Sequence, residues 1–228
     1  MKMTLSFQSI ITEVTSLTKE VLYFKITCPQ EFTFQAGQFI VIFFTKNGET
    51  KPRAYSILNP PSEKGVIELI VKLIPGGFAS EVWKKLKKGD VLQVKGANGN
   101  FSFHENNPEQ WFIGAGTGVV PLYSMIKEYL PQYSQKKFRL FFGLRSKKDL
   151  FLVQELDQLK KRYTHFDYLI TLSREKWDGP QGWVQKHLGT ELIHKNFYIC
   201  GRKELAFDTK AYLVKHKVEE KNIYFEAY

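Results

Sequence analysis

The chain has 228 residues, of which 43% are hydrophobic and 25% are charged, which excludes a disordered chain, a collagen-like repeat and a small disulfide-stapled scaffold. The formal net charge of +10 favours acidic partners. The lysines form scattered pairs rather than one continuous basic run, so the charge pattern favours a solvated basic surface over a nucleic-acid-binding stripe. These pairs are Lys84-Lys85, Lys87-Lys88, Lys136-Lys137, Lys147-Lys148 and Lys160-Lys161.

The first half of the chain is predicted to be mostly β-structure. Short β-branched or aromatic segments lie at 4–11, 21–28, 39–45, 54–58, 66–73 and 91–95, separated by Gly, Pro, Asn and Asp. A single helix is predicted at 80–87, where Val82, Trp83 and Leu86 recur at helical spacing. This pattern predicts an antiparallel Greek-key β-barrel over residues 1–106.

The second half is predicted to alternate strands and helices. Apolar strands are expected at 111–115, 138–143, 166–171, 197–200 and 223–226, and helices at 119–130, 149–162, 183–188 and 203–217. Near-continuous apolar strands are typical of a buried parallel sheet. Residues 107–228 are therefore predicted to form a doubly wound α/β domain with a five-stranded parallel sheet.

The cysteines and histidines limit which metal sites and redox groups the chain can hold. Cys28 and Cys200 are the only cysteines, too few to ligate an iron-sulfur cluster or a cysteine-rich zinc site. The five histidines show no close ligand spacing, and there is no G-x-S-x-G nucleophile turn. No metal site is predicted, and any redox chemistry has to use a bound organic cofactor.

No targeting or membrane segment is recognised in the sequence. The longest apolar run, 39–44, is far shorter than the roughly 20 residues that a membrane-spanning helix needs. Residues 1–12 lack the features of a secretory signal. A cytoplasmic protein without a membrane span is expected.

The glycine-rich segment 113–118 is the strongest local motif of the second half. Gly114, Gly116 and Gly118 lie between a predicted strand and a predicted helix, where free amides and the helix dipole can face a diphosphate. Gly201 repeats the arrangement after a later strand, so both loops are expected at the carboxyl edge of one sheet. The spacing differs from G-x-G-x-x-G, and taken alone such a loop is also compatible with a structural turn.

Two motifs of the first half indicate a binding site only weakly when each is considered alone. The tetrad Arg53-Ala54-Tyr55-Ser56 is placed at the start of a strand, where Arg53 and Tyr55 share a face and supply a phosphate-binding guanidinium and an aromatic ring. An ordinary exposed strand that contains an arginine and a tyrosine would show the same sequence pattern. Further on, a predicted helix opens with a second possible anion site made of main-chain amides, at Gly77, Phe78, Ala79 and Ser80.

Five motifs in the expected order resemble the ferredoxin-NADP reductase superfamily over essentially the whole chain. The first along the chain is F-x-x-G-Q-F, from Phe34 to Phe39. The others are R-x-Y-S at 53–56, G-x-x-S at 77–80, G-T-G-x-x-P at 116–121 and the Cys-Gly pair at 200–201.

The resemblance implies a flavin in the barrel. Arg53 would pair with a flavin phosphate, Tyr55 would lie against the isoalloxazine, and Ser56 would hydrogen-bond the ring nitrogen that accepts hydride. Main-chain amides of the tetrad around Ala54, and of 77–80, would contribute to binding of the cofactor. FAD is favoured over FMN.

The resemblance also implies a nicotinamide dinucleotide in the second domain, with Gly116, Thr117 and Gly118 under its diphosphate and Cys200-Gly201 beside the nicotinamide. Cys200 is equally compatible with a small buried apolar group.

The C-terminal Phe225-Glu226-Ala227-Tyr228 is similar to the Glu-x-Tyr ending of plastid-type ferredoxin reductases. By this likeness Tyr228 would cover the flavin and act as a gate, and Glu226 would relay protons or hold Ser56. A frayed polar tail is the alternative.

The dinucleotide itself is assigned from a further resemblance. Ser173, Arg174, Trp183 and Gln185 resemble the superfamily's pocket for a 2'-phosphate and adenine, which favours NADPH over NADH. NADH stays open, because Leu-Ser-Arg also occurs in NAD-preferring relatives and Arg145 can serve either nucleotide.

The sequence is compatible with three functions. The favoured one is an NAD(P)H-dependent flavoprotein reductase that passes single electrons to a separate acidic carrier, either ferredoxin or flavodoxin, or to an oxygenase component. The second is a reductase that uses free flavin as its substrate. The third is a non-enzymatic binding module. The sequence leaves the oligomeric state open.

Overall fold

The computed structural model describes residues 4–228. The chain divides into two compact units, Met1–Ser102 and Phe103–Tyr228. The sequence analysis placed the boundary a few residues later, after residue 106. The reason for the difference is packing, because the Phe103 ring stacks on Tyr129 at 4.2 Å between ring centroids and on Tyr198 at 5.8 Å.

Hydrogen bonds also tie the segment after Phe103 to the second unit. The Asn196 side-chain amide donates to the carbonyl of His104 at 2.7 Å, and the Tyr198 hydroxyl donates to the same carbonyl at 2.8 Å. Lys136 Nζ donates to the carbonyls of Glu105 and Asn107 at 2.6 and 2.9 Å. Residues 103–107 are therefore bound to the second unit before its first strand begins.

The first unit is a six-stranded antiparallel sheet with one short helix, and it confirms the predicted antiparallel Greek-key β-barrel. The strands follow the order β4-β3-β6-β1-β2-β5. The elements are β1 Leu5–Thr18, β2 Val21–Thr27, β3 Phe39–Lys46, β4 Glu49–Ser56, β5 Val66–Lys72, α1 Phe78–Trp83 and β6 Val91–Asn98.

Alternating side chains build the core of the first unit. Along β3, Ile40, Ile42 and Phe44 are buried, as expected for a strand with one face toward the core. The segment that follows β4 forms hydrogen bonds to β5. The Leu58 N–H donates to the Glu68 carbonyl at 2.8 Å, and the Glu68 N–H donates to Asn59 Oδ1 at 2.8 Å.

The second unit is a five-stranded parallel sheet with helices, which confirms the predicted doubly wound α/β fold. Its strand order is β11-β10-β7-β8-β9, and all ladders are parallel. The elements are β7 Glu109–Ala115, α2 Val119–Tyr129, β8 Lys137–Leu144, α3 Val153–Arg162, β9 Phe166–Leu172, β10 Lys195–Gly201, α4 Lys203–Lys215 and β11 Ile223–Ala227.

The strand order creates a switch point between β7 and β10. From β7 the chain proceeds to β8 and β9, and it then returns to the other side of β7 to form β10 and β11. Open α/β sheets bind ligands where the loops after two such strands diverge. The carboxyl ends of β7 and β10 are therefore the position at which the fold favours a ligand.

Three predicted helices differ from the structure. The helix expected at 80–87 is α1, Phe78–Trp83, and it ends early because the N–H groups of Lys85 and Leu86 donate to carbonyls three residues back rather than four. The helix expected at 149–162 begins only at Val153, because Leu152 has φ 61°, and a 3₁₀ turn capped by Ser146 and Asp149 precedes it. The helix expected at 183–188 is a four-residue 3₁₀ helix. It lies between Gly182 and Gly189, whose positive φ values of 95° and 70° interrupt helical geometry on both sides.

Candidate functional site

The tetrad at 53–56 ends a strand, so its predicted place at the start of one is wrong. The reason is the preceding hairpin, in which Asn47 and Gly48 have φ values of 51° and 78° and Lys46 pairs with Glu49. Such a two-residue Asn-Gly turn starts the next strand at once. Strand β4 thus begins at Glu49 and carries the tetrad to its carboxyl end.

Tyr55 is held by a residue of α1. Trp83 Nε1 donates a hydrogen bond to Tyr55 Oη at 2.7 Å, and the two rings meet edge to face with centroids 5.3 Å apart. Burial raises the pKa of Tyr55 to about 12, so the phenol is neutral at physiological pH. The sequence indicated Trp83 only as a core residue of the helix, since nothing in a sequence pairs two side chains across this spacing.

The segment at 77–80 forms the first turn of α1. The Gly77 N–H donates to the Ile74 carbonyl at 2.9 Å, and the Ile74 N–H donates to Ser80 Oγ at 2.8 Å. Ser80 is buried, so its hydroxyl stabilises the turn. The amides of a first helical turn have no partner within the helix, and those of Phe78, Ala79 and Ser80 are accordingly available to a ligand.

The structure brings the tetrad and α1 together. Besides the Tyr55–Trp83 bond, Lys51 Nζ lies 4.8 Å from the centroid of the Phe78 ring. Arg53 and Ala54 are exposed, and Ser56 is half-buried at the end of the strand. An exposed guanidinium and helix-terminal amides are donors of the kind that bind a diphosphate, and a half-buried tyrosine ring offers a surface for an aromatic ring.

The glycine loop of the second unit approaches the end of β10 very closely. Gly116–Gly118 form a 3₁₀ turn between β7 and α2. A Cβ built on Gly118 would lie 2.6 Å from the carbonyl carbon of Cys200, and a Cβ built on Gly114 would lie 2.9 Å from a methyl carbon of Leu122. Gly116 has φ 56° with nothing within 4 Å of its would-be Cβ. Gly118 therefore needs glycine for close approach to main chain, Gly114 meets a side chain that can move, and Gly116 leaves an open side.

Five predicted residues gather at this sheet edge. Strands β10 and β11 pair Cys200 with Glu226, and the Tyr228 N–H donates to the Gly201 carbonyl at 3.2 Å. The Tyr228 and Thr117 hydroxyl oxygens are 3.2 Å apart. The carboxyl ends of β7, β10 and β11 thus converge on one site.

Burial sets the protonation of this site. It raises the pKa of the Cys200 thiol, and the nearby Glu226 carboxylate raises it further, so Cys200 is a neutral thiol. Partial burial also raises the pKa of Glu226. Cys200 is fully buried, which makes it a small apolar surface rather than an exposed nucleophile.

Ser173 and Arg174 follow the end of β9. The Ser173 N–H donates to the Leu144 carbonyl at 2.9 Å, and the Arg174 N–H donates to the Arg145 carbonyl at 2.9 Å. The Arg174 side chain is exposed. The two residues therefore lie beside the carboxyl end of β8, next to Arg145.

Trp183 and Gln185 belong to the segment that connects β9 to β10. Gln181 bridges to Leu172 of β9, and Trp183 immediately precedes the 3₁₀ helix Val184–His187 with 56% of its surface exposed. The buried Oε1 of Gln185 has no hydrogen-bond partner among the described residues. The exposed Trp183 indole offers a flat surface on which a base can stack, whereas the Gln185 oxygen is buried.

The two units match two different families. Residues 8–103 match the oxidoreductase FAD-binding domain, and residues 112–211 match the oxidoreductase NAD-binding domain. The chain belongs to the ferredoxin-NADP reductase superfamily. It carries an oxidoreductase FAD-binding domain and an oxidoreductase NAD-binding domain, which confirms the predicted binding of FAD in the first unit and of a nicotinamide dinucleotide in the second.

Named relatives within the superfamily come from different enzyme systems. The chain is 31% identical over 203 residues to a subunit of the Na(+)-translocating NADH-quinone reductase of Neisseria gonorrhoeae, and the match covers 79% of this chain and 50% of that protein. It is 26% identical to the phenol 2-monooxygenase reductase component DmpP of Pseudomonas sp. over 232 residues, covering 97% of this chain and 65% of that protein. The chain thus spans about half the length of the first of these relatives.

The fold is shared with a solved ferredoxin NADP+ reductase from Neisseria gonorrhoeae that has bound FAD and NADP. The TM-score is 0.86 at 21% identity, with 97% of this chain and 98% of that chain covered. Within residues 4–228 no helix is long and apolar enough to cross a membrane. The same part of the chain holds no group of three or more His, Cys, Asp or Glu side chains suited to a metal ion.

Proposed function

We propose that this protein is a reductase that takes electrons from NADPH through bound FAD and passes them singly to a separate acidic carrier protein such as ferredoxin or flavodoxin. The observation that carries the proposal is the convergence of Thr117, Cys200, Glu226 and Tyr228 at the switch point of the parallel sheet. A bound flavin supplies the chemistry, because it accepts a hydride from a reduced nicotinamide and releases electrons one at a time.

The residues of the first unit bind and orient the flavin. Arg53 and the first-turn amides of α1 offer positive charge and donors to the diphosphate. Tyr55, fixed by Trp83 and kept neutral by burial, offers a flat ring to the isoalloxazine. The Ser56 hydroxyl is assigned by resemblance to the ring nitrogen at which hydride arrives.

The residues of the second unit bind and orient the nicotinamide nucleotide. The amides around Gly116 and Gly118 face the diphosphate, and the neutral Cys200 thiol lines the nicotinamide position without adding charge. The Tyr228 ring covers the edge and limits how tightly the nicotinamide is held. Glu226, whose pKa is raised by burial, is assigned by resemblance to relaying a proton.

NADPH is proposed as the donor, and NADH is the second candidate. Arg174 and Ser173 lie at the end of β9, where they supply a guanidinium and a hydroxyl to a 2'-phosphate. Trp183 offers an exposed ring to the adenine, and Gln185 an unpaired amide oxygen. Arg145, whose carbonyl accepts from the Arg174 N–H, is the group that serves either nucleotide.

The electron acceptor is proposed to lie outside these 228 residues. Cys28 and Cys200 are free cysteines, and two cysteines cannot ligate an iron-sulfur cluster. The net charge of +10 favours an acidic carrier, and the association should weaken as salt rises. An oxygenase component is the second candidate acceptor, which the likeness to the phenol 2-monooxygenase reductase component supports. The cytoplasmic location expected from the sequence stays a prediction.

An anaerobic titration of the purified protein tests the proposal. The visible spectrum should show bound flavin that one equivalent of NADPH bleaches, and ferredoxin or flavodoxin should then be reduced faster at low salt than at high salt. NADH reducing the flavin equally well would make it the natural donor. A colourless protein that turns over only with added flavin would instead establish free flavin as the substrate, and one that neither binds nor reduces flavin would establish a binding module.

A further inference from the structure

The guanidinium of Arg139 lies beside two aromatic rings, and one of its donors is buried. Strand β8 pairs Arg139 with Trp111 of β7 on one side and with Asp167 of β9 on the other. The guanidinium carbon is 5.0 Å from the centroid of the Phe141 ring and 5.7 Å from that of the Trp111 ring. The buried Nε atom has no hydrogen-bond partner among residues 4–228. Because a buried donor without an acceptor is destabilising, this arrangement favours an acceptor that comes from outside the chain.

The carboxylates around Arg139 are paired with other groups. Asp167 Oδ2 is 3.9 Å from Arg139 Nε, which is too far for a hydrogen bond, while Asp167 Oδ1 accepts from Lys160 Nζ at 2.7 Å. Glu109, which lines a cavity of about 540 Å³ together with Arg139, is 3.1 Å from Lys195 Nζ. Within the described part of the chain, these two carboxylates therefore leave the positive charge of Arg139 without a hydrogen-bonded counter-ion.

A second cavity, of about 550 Å³, lies beside Arg139 and residues 167–170 of β9, and it is called the β9 cavity below. The apolar part of its wall consists of Leu150, Val153, Leu169, Ile170, Trp177 and Pro180. Trp177 Nε1 donates to the Pro180 carbonyl at 2.6 Å, so the indole offers its ring rather than a donor. Asp157, also in the wall, accepts from the Tyr168 hydroxyl at 2.6 Å. Sites for small molecules have volumes of roughly 300–1,000 Å³, and the β9 cavity is within this range.

We propose that the β9 cavity binds a small carboxylate with a flat apolar body, which places an aromatic acid with its carboxylate on Arg139. The two oxygens of a carboxylate match the planar fork of guanidinium donors, and the apolar wall accommodates the ring. A dianion such as phosphate is disfavoured, because Asp157 and Asp167 line the same cavity. The inference is independent of the proposed function, since the residues proposed to hold flavin and nucleotide do not line this cavity.

Titrations of the purified full-length protein with benzoate, benzamide and inorganic phosphate test the proposal. Benzoate should bind saturably at one site. Benzamide has the same shape without the charge, so it should bind about 10- to 100-fold more weakly, which is the range for a hydrogen bond between charged groups. Phosphate lacks the apolar body and should also bind more weakly. In ¹⁵N-labelled protein, benzoate should shift the indole N–H signal of Trp177 and leave that of Trp183, which is outside the cavity, in place.

Three variants test the role of Arg139. Arg139→Gln should weaken benzoate binding by about 10- to 100-fold. Arg139→Lys keeps the charge and lacks the fork, so its affinity should lie between those of Arg139→Gln and the wild type. Arg162→Gln is the matched control, because the Arg162 guanidinium also lies over a ring, 5.2 Å from the Tyr163 centroid, but lines neither cavity. Arg162→Gln should bind benzoate like the wild type.

Four results would overturn the proposed carboxylate site. Benzoate could fail to bind saturably, or it could bind no more tightly than benzamide or phosphate. Arg139→Gln with the melting temperature of the wild type could retain full affinity for benzoate. Benzoate could also shift the Trp183 signal instead of the Trp177 signal, which would place its site elsewhere. The comparison of benzoate with benzamide uses the wild type, so it decides the question even if Arg139→Gln does not fold.

Discussion

Gly118 is the position in the second unit where a single methyl group should do the most damage. Its φ and ψ of −63° and −14° suit any residue, so the backbone conformation does not require glycine. A Cβ there would lie 2.6 Å from the carbonyl carbon of Cys200 and 2.9 Å from Gly201 Cα. Ordinary contact begins at 3.4 Å. The loop and the end of β10 therefore have to separate by at least about 0.8 Å to relax the contact with this carbon, and further to clear the Cys200 carbonyl oxygen, which lies closer still.

That displacement has two consequences. The colliding atoms belong to the main chain, which cannot rotate away, and overpacking of this kind costs about 1–3 kcal/mol of stability. The shift also moves the glycine loop within its own binding site, where an error of about 1 Å costs about 100-fold. Gly118→Ala should therefore unfold more easily and bind NADP+ at least about tenfold more weakly than the wild type. The predicted flavin residues lie in the first unit, so flavin content should not change.

Urea denaturation and NADP+ titration measure the two effects separately. Gly116→Ala is the matched control in the same turn, because its φ of 56° costs about 1–2 kcal/mol for a residue with a Cβ, while nothing lies within 4 Å to collide with. The control should lose stability without displacing the loop from β10. A Gly118→Ala protein with wild-type stability and affinity would refute the close-approach argument, and equal loss of affinity in both variants would assign it to backbone strain.

Three further predictions concern other groups. Trp83→Phe should lower the free energy of unfolding by about 1–3 kcal/mol, because it removes the bond to Tyr55 and leaves a cavity. Trp183→Phe, at an exposed position, should change the free energy of unfolding by less than about 0.5 kcal/mol. Equal effects of the two substitutions in urea melts would contradict this expectation. Arg174→Ala should raise the KM for NADPH by about tenfold and the KM for NADH far less in steady-state assays, and equal effects on both donors would point to NADH. Glu226 has a pKa above its ordinary 4.5 in the folded protein, so the folded state binds more protons and stability falls as pH rises above 4.5. Glu226→Gln should therefore melt like the wild type near pH 4 and at a higher temperature at pH 7, and a constant difference across this range would exclude titration of Glu226 as the cause.

The sheets could be predicted from the sequence because their patterns are local. The near-continuous apolar strands at 138–143 and 197–200 left little alternative to a buried parallel sheet, and β8 and β10 contain them. The start of β4 was missed because Glu49, Lys51 and Pro52 carry little strand propensity. The Asn47-Gly48 turn was the available signal, since two residues of this type fix where both strands of a hairpin begin and end.

The site could be predicted only as far as individual motifs allow. Gly114, Gly116 and Gly118 could be located because glycines between a strand and a helix form a local pattern. The close approach of Gly118 to the main chain of Cys200 could not be predicted from that pattern. The bond from Trp83 to Tyr55 spans 28 residues, and the contact of Thr117 with Tyr228 spans 111. Such pairings depend on the register of the strands and helices that carry them, and a sequence pattern does not fix that register.

The protonation states at the two sites follow one rule, which bears on how the protein responds to pH. Burial keeps the Tyr55 phenol and the Cys200 thiol neutral, so neither changes charge near neutral pH. The charge offered to ligands comes instead from main-chain amides and from the guanidinium groups of Arg53 and Arg174, which carry permanent charge. Glu226 differs from these groups because its raised pKa moves its titration toward neutrality. A pH dependence of the protein's own groups is therefore expected to enter through Glu226, because main-chain amides and guanidinium groups do not change charge over this range.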